Sequence, residues 1–501
     1  MYAIINTENY LSIDTSELTL ITIDKKMSKE MIDTFLGKHV PSLTDLDCEN
    51  TKIISIPDLP NLTSIDCGYS NMLNTIQDLH SLTSLNCVGC SNLFSISNLT
   101  NLVTLQCDEC TQITNIRGLP SLTSLSCNKC VNLSSIPNLY NLISLNCSMC
   151  SNITSIPILL NLTTLNCSLC PNINSIPVLP SLTYLDCSGC VNLSAIPDLV
   201  SLTKLTCVGC NNITTIPTLH RLKYLNCSEC IKITDICALP SIISLDCSRC
   251  YNLTSIPELM ILAQLSCVGC AKLTSISMLP MLNSLNCSDC TNLTSISALP
   301  ELIMLNCSRC SNLSSIPILP HLTTLISMSC VNLTTFPILC NLIKLCANRC
   351  TNLISIPELT NLTKLSCKGI SKLTSIPYFP KLLKLYCSDC INITNIPQIH
   401  SLTKLYCNGC SNLTSIPILP CLTSLEFNYC CNLCKYTVPL KFLDLDTVSD
   451  DIIYQAIEYN SLNLEYIETC LYTNMYSANK RKSLEDIIYN NILVKSAAKC
   501  L

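Results

Sequence analysis

Leucine returns every 20 residues, at Leu62, Leu82, Leu102, Leu122 and onward to Leu422, with Ile242 as the exception. A 19-residue spacing sets Leu43 ahead of this series, which makes twenty coils between Leu43 and Pro439. A fixed period of this length marks one structural unit repeated, and such units stack because none buries its apolar face alone. Residues 122–141 show the unit: LTSLSCNKCVNLSSIPNLYN. With Leu122 as slot 1, apolar side chains fall at slots 1, 4, 6, 9, 12, 15 and 18. Slots 4 and 6 alternate as in a short strand with one buried face. The later apolar slots come at intervals of three, as a chain winding once around a core places them. Pro at slot 16, and often at slot 19, bars a regular helix and favours extended backbone. So short a coil has no room for a strand, two turns and a three-turn helix, which predicts an extended outer side. Neighbouring coils then stack at about 4.8 Å, the strand spacing.

This coil resembles the leucine-rich repeat, L-x-x-L-x-L-x-x-[NC]-x-x-L, with cysteine in slots 6 and 9. Its period and its I-P-x-L-P ending are similar to the short repeats of bacterial effectors. Its wealth of Cys, Ile, Asn and Ser is similar to repeat proteins of giant DNA viruses. The resemblance covers about four-fifths of the chain. It implies a leucine-rich-repeat solenoid, mainly β, with a curved parallel sheet on a concave face used for protein recognition. An extended, non-helical convex side and short α-containing caps complete that expectation. Some of those effectors carry a ubiquitin-ligase domain; the tail here is too short for one, so that activity is not carried over.

Three segments follow: an N-terminal cap over 1–42, the repeats over 43–439 and a helical C-terminal cap over 440–501. In the first, Leu18 to Ile23 alternates as a strand, and Lys29 to Leu36 reads as a helix capped by Ser28 and stopped by Gly37. In the last, Ser449-Asp450-Asp451 and Ser483-Leu484-Glu485-Asp486 read as helix starts ahead of apolar faces. Covering the open ends of the core is the role expected of both caps.

Of the 42 cysteines, 28 stand in fourteen C-x-x-C pairs, from Cys87/Cys90 and Cys107/Cys110 to Cys407/Cys410. Two such pairs can make a four-thiolate zinc site. Against that, the pairs recur in most coils, coincide with core slots, and give way to apolar residues at Ile370 (slot 9) and Phe427 (slot 6). Free cysteine packs as a small hydrophobe, so the pairs read as packing, with no metal or cofactor expected. A metal- or thiol-redox protein is the alternative reading, and a structural component of a particle or surface is a third. The start of the chain lacks a basic stretch followed by an apolar run, so secretion and disulfides are not expected. The N-x-[ST] matches at Asn132, Asn152, Asn192, Asn252, Asn292 and Asn412 arise from the repeat's own N-L-[ST] wording.

Composition excludes other classes. A net charge of −5 argues against nucleic acid, which calls for a basic excess. Mean hydropathy is high at +0.40, yet Ser, Thr and Asn interrupt every apolar run, so no membrane span is expected. The five histidines are scattered, with His80, His220 and His400 all at slot 19, and no nucleophile–base grouping is suggested. The expectation is a non-enzymatic, monomeric, cytoplasmic scaffold for protein–protein interaction, in a host cytosol if viral or effector-like.

Slots 2, 3 and 5 of each strand point outward, where a partner would dock. Slot 3 is mostly Ser or Thr until it becomes Lys344, Lys364, Lys384 and Lys404 in four consecutive coils. Tyr386 and Tyr406 stand beside them in slot 5. A lysine ladder with amphipathic rings points to a partner with an acidic surface. Just ahead of the ladder, Ser327-Met328 and Cys346-Ala347 break the cysteine pattern, where a local bulge is expected.

Overall fold

The computed structural model describes residues 2–37, 42–96, 98–434 and 437–438. They fall into two compact units, one of Met1–Leu273 with Leu279–Met281 and one of Thr274–Met278 with Leu282–Leu501. The first unit opens with strand β1 (Tyr2–Ile5), strand β2 (Leu20–Ile23) and helix α1 (Lys29–Leu36). After them come twelve three-residue strands, one per coil, from Asp45–Asp47 to Gln264–Ser266. The second unit has eight such strands, from Ser284–Asn286 to Ser424–Glu426. Within each unit every described pairing along the ladder is parallel and joins like slots of consecutive coils, as in Ser144↔Thr164, Leu145↔Leu165 and Asn146↔Asn166. Each unit is therefore a leucine-rich-repeat solenoid, as the repeat predicts.

Register and burial agree. Slot 4 leucines such as Leu165 and Leu365 are fully buried, as are slot 6 cysteines such as Cys167 and Cys367, while slots 2, 3 and 5 face outward. The later apolar slots complete one stacked core: Cys170, Ile173, Ile176 and Leu179 in one coil are all buried. Polar residues at the coil corners satisfy the backbone between coils. Slot 2 threonines donate to the slot 2 carbonyl one coil back, as Thr163 does to Ile143 at 3.1 Å. Slot 20 asparagines donate to the slot 19 carbonyl one coil back, as Asn161 does to Tyr140 at 2.9 Å. The slot 11 asparagines within the N-L-[ST] wording work the same way: Asn252 donates to Ile231 O at 2.8 Å. That amide is part of the stacking.

The outer side is extended, and its two-residue pairings form where the later coil lacks proline at slot 16. Among the described residues four two-residue pairings occur there, including Ser95–Ile96 with Asn115–Ile116 and Ser275–Ile276 with Ser295–Ile296. In all four the later coil carries a residue other than proline at slot 16: Gln77, Arg117, Cys237 or Ser297. The Arg117 amide donates to Ile96 O at 3.1 Å and the Ser297 amide to Ile276 O at 3.0 Å. Proline has no amide hydrogen to give.

Slot 8 turns the chain sharply after each strand. It holds positive φ throughout, at glycines such as Gly89 (φ 72) and Gly209 (φ 68), and at side chains such as Lys129 (φ 59) and Met149 (φ 58). A Cβ on Gly89 would overlap the Tyr69 ring of the preceding coil, whereas one on Gly209 would meet nothing within 4 Å. Gly89→Ala is expected to destabilise the first unit by about 2 kcal/mol and Gly209→Ala by about 1 kcal/mol, the cost of the left-handed backbone alone. Urea unfolding checks this, and equal losses at the two sites would contradict it.

The N-terminal helix matches its predicted bounds. Ser28 Oγ accepts from the Met31 amide at 3.4 Å, and Gly37 ends the helix in the right-handed region (φ −71), its amide bonded to Asp33 and Phe35 carbonyls. The strand expected over Leu18 to Ile23 begins at Leu20, and β1, which pairs with it in parallel, was not foreseen. The expected bulge is absent. Thr324–Ile326, Lys344–Cys346 and Lys364–Ser366 pair in unbroken register. Ser327 and Ala347 take slot 6 and are fully buried, so the side chain changes while the residue count does not. The helix starts at Ser449 and Ser483 lie outside the described residues. No helix among the described residues is long and apolar enough to cross a membrane.

Candidate functional site

The ladder of the second unit brings the four lysines together. Lys344↔Lys364, Lys364↔Lys384 and Lys384↔Lys404 are direct parallel partners, so neighbouring α-carbons stand one strand spacing, about 4.8 Å, apart. Lys344, Lys364 and Lys384 are exposed and Lys404 is half-buried. Among the described residues none of the four makes an ion pair. Like charges so placed repel by up to about 1 kcal/mol per adjacent pair in water, less where the side chains splay.

Tyr386 and Tyr406, partners in the same register, stack with ring centroids 5.0 Å apart and planes 13° from parallel. The Tyr406 hydroxyl reaches Ser424 Oγ at 3.1 Å. Lys364 Nζ lies 5.5 Å from the Tyr386 ring centroid, and so does Lys368 Nζ from slot 7 of the same coil. The aromatic pair thus anchors two ammonium groups, one of which sequence reasoning missed. Beside Tyr386 the face is hollow: a concavity of about 430 Å³ is lined by Thr324, Ile326, Lys344, Cys346, Asn348, Lys364, Ser366 and Lys368, among others. Its signal in the sequence was the slot 5 run Ile326, Cys346, Ser366, Tyr386, where two small residues stand between two large ones.

Two features of the first unit also went unnoticed. Tyr184, Lys204 and Tyr224 share slot 3 in register, with Lys204 Nζ 5.2 Å from the Tyr184 centroid. Along slots 8 and 10 a groove of about 690 Å³ runs past Tyr69, Met149 and Leu169, crossed by the Lys129–Glu109 ion pair at 2.6 Å.

The cysteine pairs have a structural use. The slot 9 thiols donate to the slot 6 carbonyl one coil back, as in Cys90 to Cys67 at 3.0 Å, Cys110 to Cys87 at 2.9 Å and Cys410 to Cys387 at 3.1 Å. In the coil before this series Ser70 does the same with a hydroxyl, to Cys48 O at 2.8 Å. The two thiols of a C-x-x-C are thus engaged by neighbouring coils. Burial, with Asp47 adding, holds Cys48 well above the usual thiol value, and burial pushes Cys350 up to about 12. Thiols held protonated are poor nucleophiles and poor ligands; the slot 9 thiols Cys90, Cys170, Cys230, Cys330 and Cys390 are drawn below the usual value by contact with a slot 6 thiol of a neighbouring coil. Among the described residues no three His, Cys, Asp or Glu side chains converge as a metal site would require.

No family model matches the sequence, and no curated protein matches it. Among solved structures, YopM from Yersinia enterocolitica WA-314 is similar over 83% of this chain and 82% of its own, at 20% identity and a TM-score of 0.46. So distant a likeness transfers no function.

Proposed function

We propose that the chain is a non-enzymatic protein-binding scaffold and that the lysine face of its second unit receives the acidic surface of a partner. The observation that carries this is the register of Lys344, Lys364, Lys384 and Lys404 on four adjacent strands without a carboxylate among them. A ladder of unpaired like charges costs stability, and an acidic partner converts that cost into attraction. The described cysteines are free and most are buried, which suits a reducing compartment such as the cytosol. A monomer acting in a host cytosol, viral or effector-like, is the setting the repeat's wording suggests.

The test is a calorimetric titration of the full chain with an oligoglutamate peptide. Binding is expected to weaken at least tenfold between about 50 and 300 mM salt, as exposed charges are screened. Changing all four lysines to Glu is expected to reduce affinity by about 100-fold or more, since attraction becomes repulsion along the whole ladder. An unchanged affinity in that variant would remove the ladder as the site.

A further inference from the structure

The hollow beside Tyr386 is more specific than the ladder that borders it. Its floor is Cys346 and Ser366, small slot 5 residues on adjacent strands, and its walls are Ile326 on one side and Tyr386 on the other. Those walls stand three strands apart, about 14 Å at the ordinary strand spacing, which leaves a notch two strands wide. Lys344 and Lys364 border it at slot 3, and Lys368 with Asn348 at slot 7. No carboxylate lines it.

Tyr406, on the strand after Tyr386, covers one face of the Tyr386 ring. Lys364 and Lys368 come from the coil before and lie against the ring from the notch side. Two ammonium groups from opposite edges therefore converge on one aromatic face. An exposed cation–π contact is a weak hold, and a charge-assisted hydrogen bond to a phosphate oxygen is stronger. A ligand that offers a ring to Tyr386 and a dianion to the lysines replaces the weaker contacts with stronger ones. A carboxylate side chain would meet only part of this arrangement, since it brings one charge and no ring.

We propose that the notch takes an aryl phosphate, presented as the phosphorylated tyrosine side chain of the partner protein. The ring lies over Ser366 and Cys346 against Tyr386, and the phosphate is shared by Lys364, Lys368 and Lys344. This rests on the lysine face being the partner surface, and it names the group on the partner that anchors there.

The experiment titrates the full chain with phenyl phosphate, inorganic phosphate and phenol, and with a short peptide carrying one phosphotyrosine. Phenyl phosphate is expected to bind at least about tenfold more tightly than either fragment, and the peptide at least as tightly as phenyl phosphate. Ser366→Phe, which fills the floor, is expected to abolish phenyl phosphate binding. Tyr386→Leu, at a half-exposed position where folding is not at stake, is expected to erase the preference for phenyl over inorganic phosphate. Equal binding of inorganic and phenyl phosphate would overturn the proposal, as would a Tyr386→Leu chain that keeps the preference. Phenyl phosphate bound more tightly than the peptide would point to a free aryl phosphate and overturn the protein-borne source. Oligoglutamate bound by the wild-type chain with no phenyl phosphate binding would sink the notch alone and leave the scaffold reading standing.

Discussion

Raising the pH from 8 to about 10 is expected to unfold the first unit. Eleven of its slot 6 thiols, from Cys48 to Cys247, are held well above the usual thiol value. In all but Cys48 the leading cause is contact with the slot 9 thiol of a neighbouring coil, followed by burial; in Cys48 it is burial. The folded state therefore keeps protons that the unfolded chain releases above about pH 8.5. A thiol raised in this way contributes its full stability below pH 8.5 and loses it as the pH climbs toward its folded value. Each raised thiol then loses on the order of 1 kcal/mol per pH unit, and the loss shared by eleven of them is comparable with the whole stability of a typical domain. Cys90, Cys170 and Cys230 are drawn the other way by the same contacts, which offsets part of this. Circular dichroism under reducing conditions from pH 7 to 11 is expected to show a midpoint between about 9 and 10.5. A chain still folded at pH 11 would mean that these thiols are not buried as described.

The second large effect lies on one strand. Leu165 is fully buried in slot 4, stacked in register between Leu145 and Leu185, while Thr164 beside it in slot 3 faces outward. Leu165→Asp removes a core side chain and leaves a carboxylate without a partner, at a cost of at least about 4 kcal/mol. Thr164→Asp places the same group in water and is expected to cost under about 1 kcal/mol. Because each coil touches only its neighbours, the damage from Leu165→Asp concentrates in the adjoining coils. Hydrogen exchange is expected to show lost protection there first, with coils farther along the unit less affected. Similar losses from the two substitutions would contradict the register.

What the sequence made legible was whatever repeats. Apolar slots 1, 4, 6, 9, 12, 15 and 18 are the core because a one-dimensional stack needs the same residue type at the same place in each turn. Slot 8 was missed although six of the nine glycines stand there. Lysine, arginine, glutamate and methionine occupy it in other coils and disguise a position defined by backbone. The notch was missed for a different reason: it exists in the difference between Cys346 or Ser366 and the larger residues flanking them, and no single coil carries it. The bulge was expected because Ser327 and Ala347 broke a cysteine pattern, but only an inserted residue shifts a ladder. The strand Tyr2–Ile5 lies outside the repeat and had only its own short stretch to announce it.

The scaffold reading meets its most direct test in a pull-down from cell lysate, with wild-type chain set against the chain carrying Lys344→Glu, Lys364→Glu, Lys384→Glu and Lys404→Glu. The prediction is a discrete partner held by the wild type and lost by the variant, at a salt concentration low enough that exposed charges are not screened. A partner held equally by both would contradict the lysine face as its site, and no partner for either would contradict the scaffold itself.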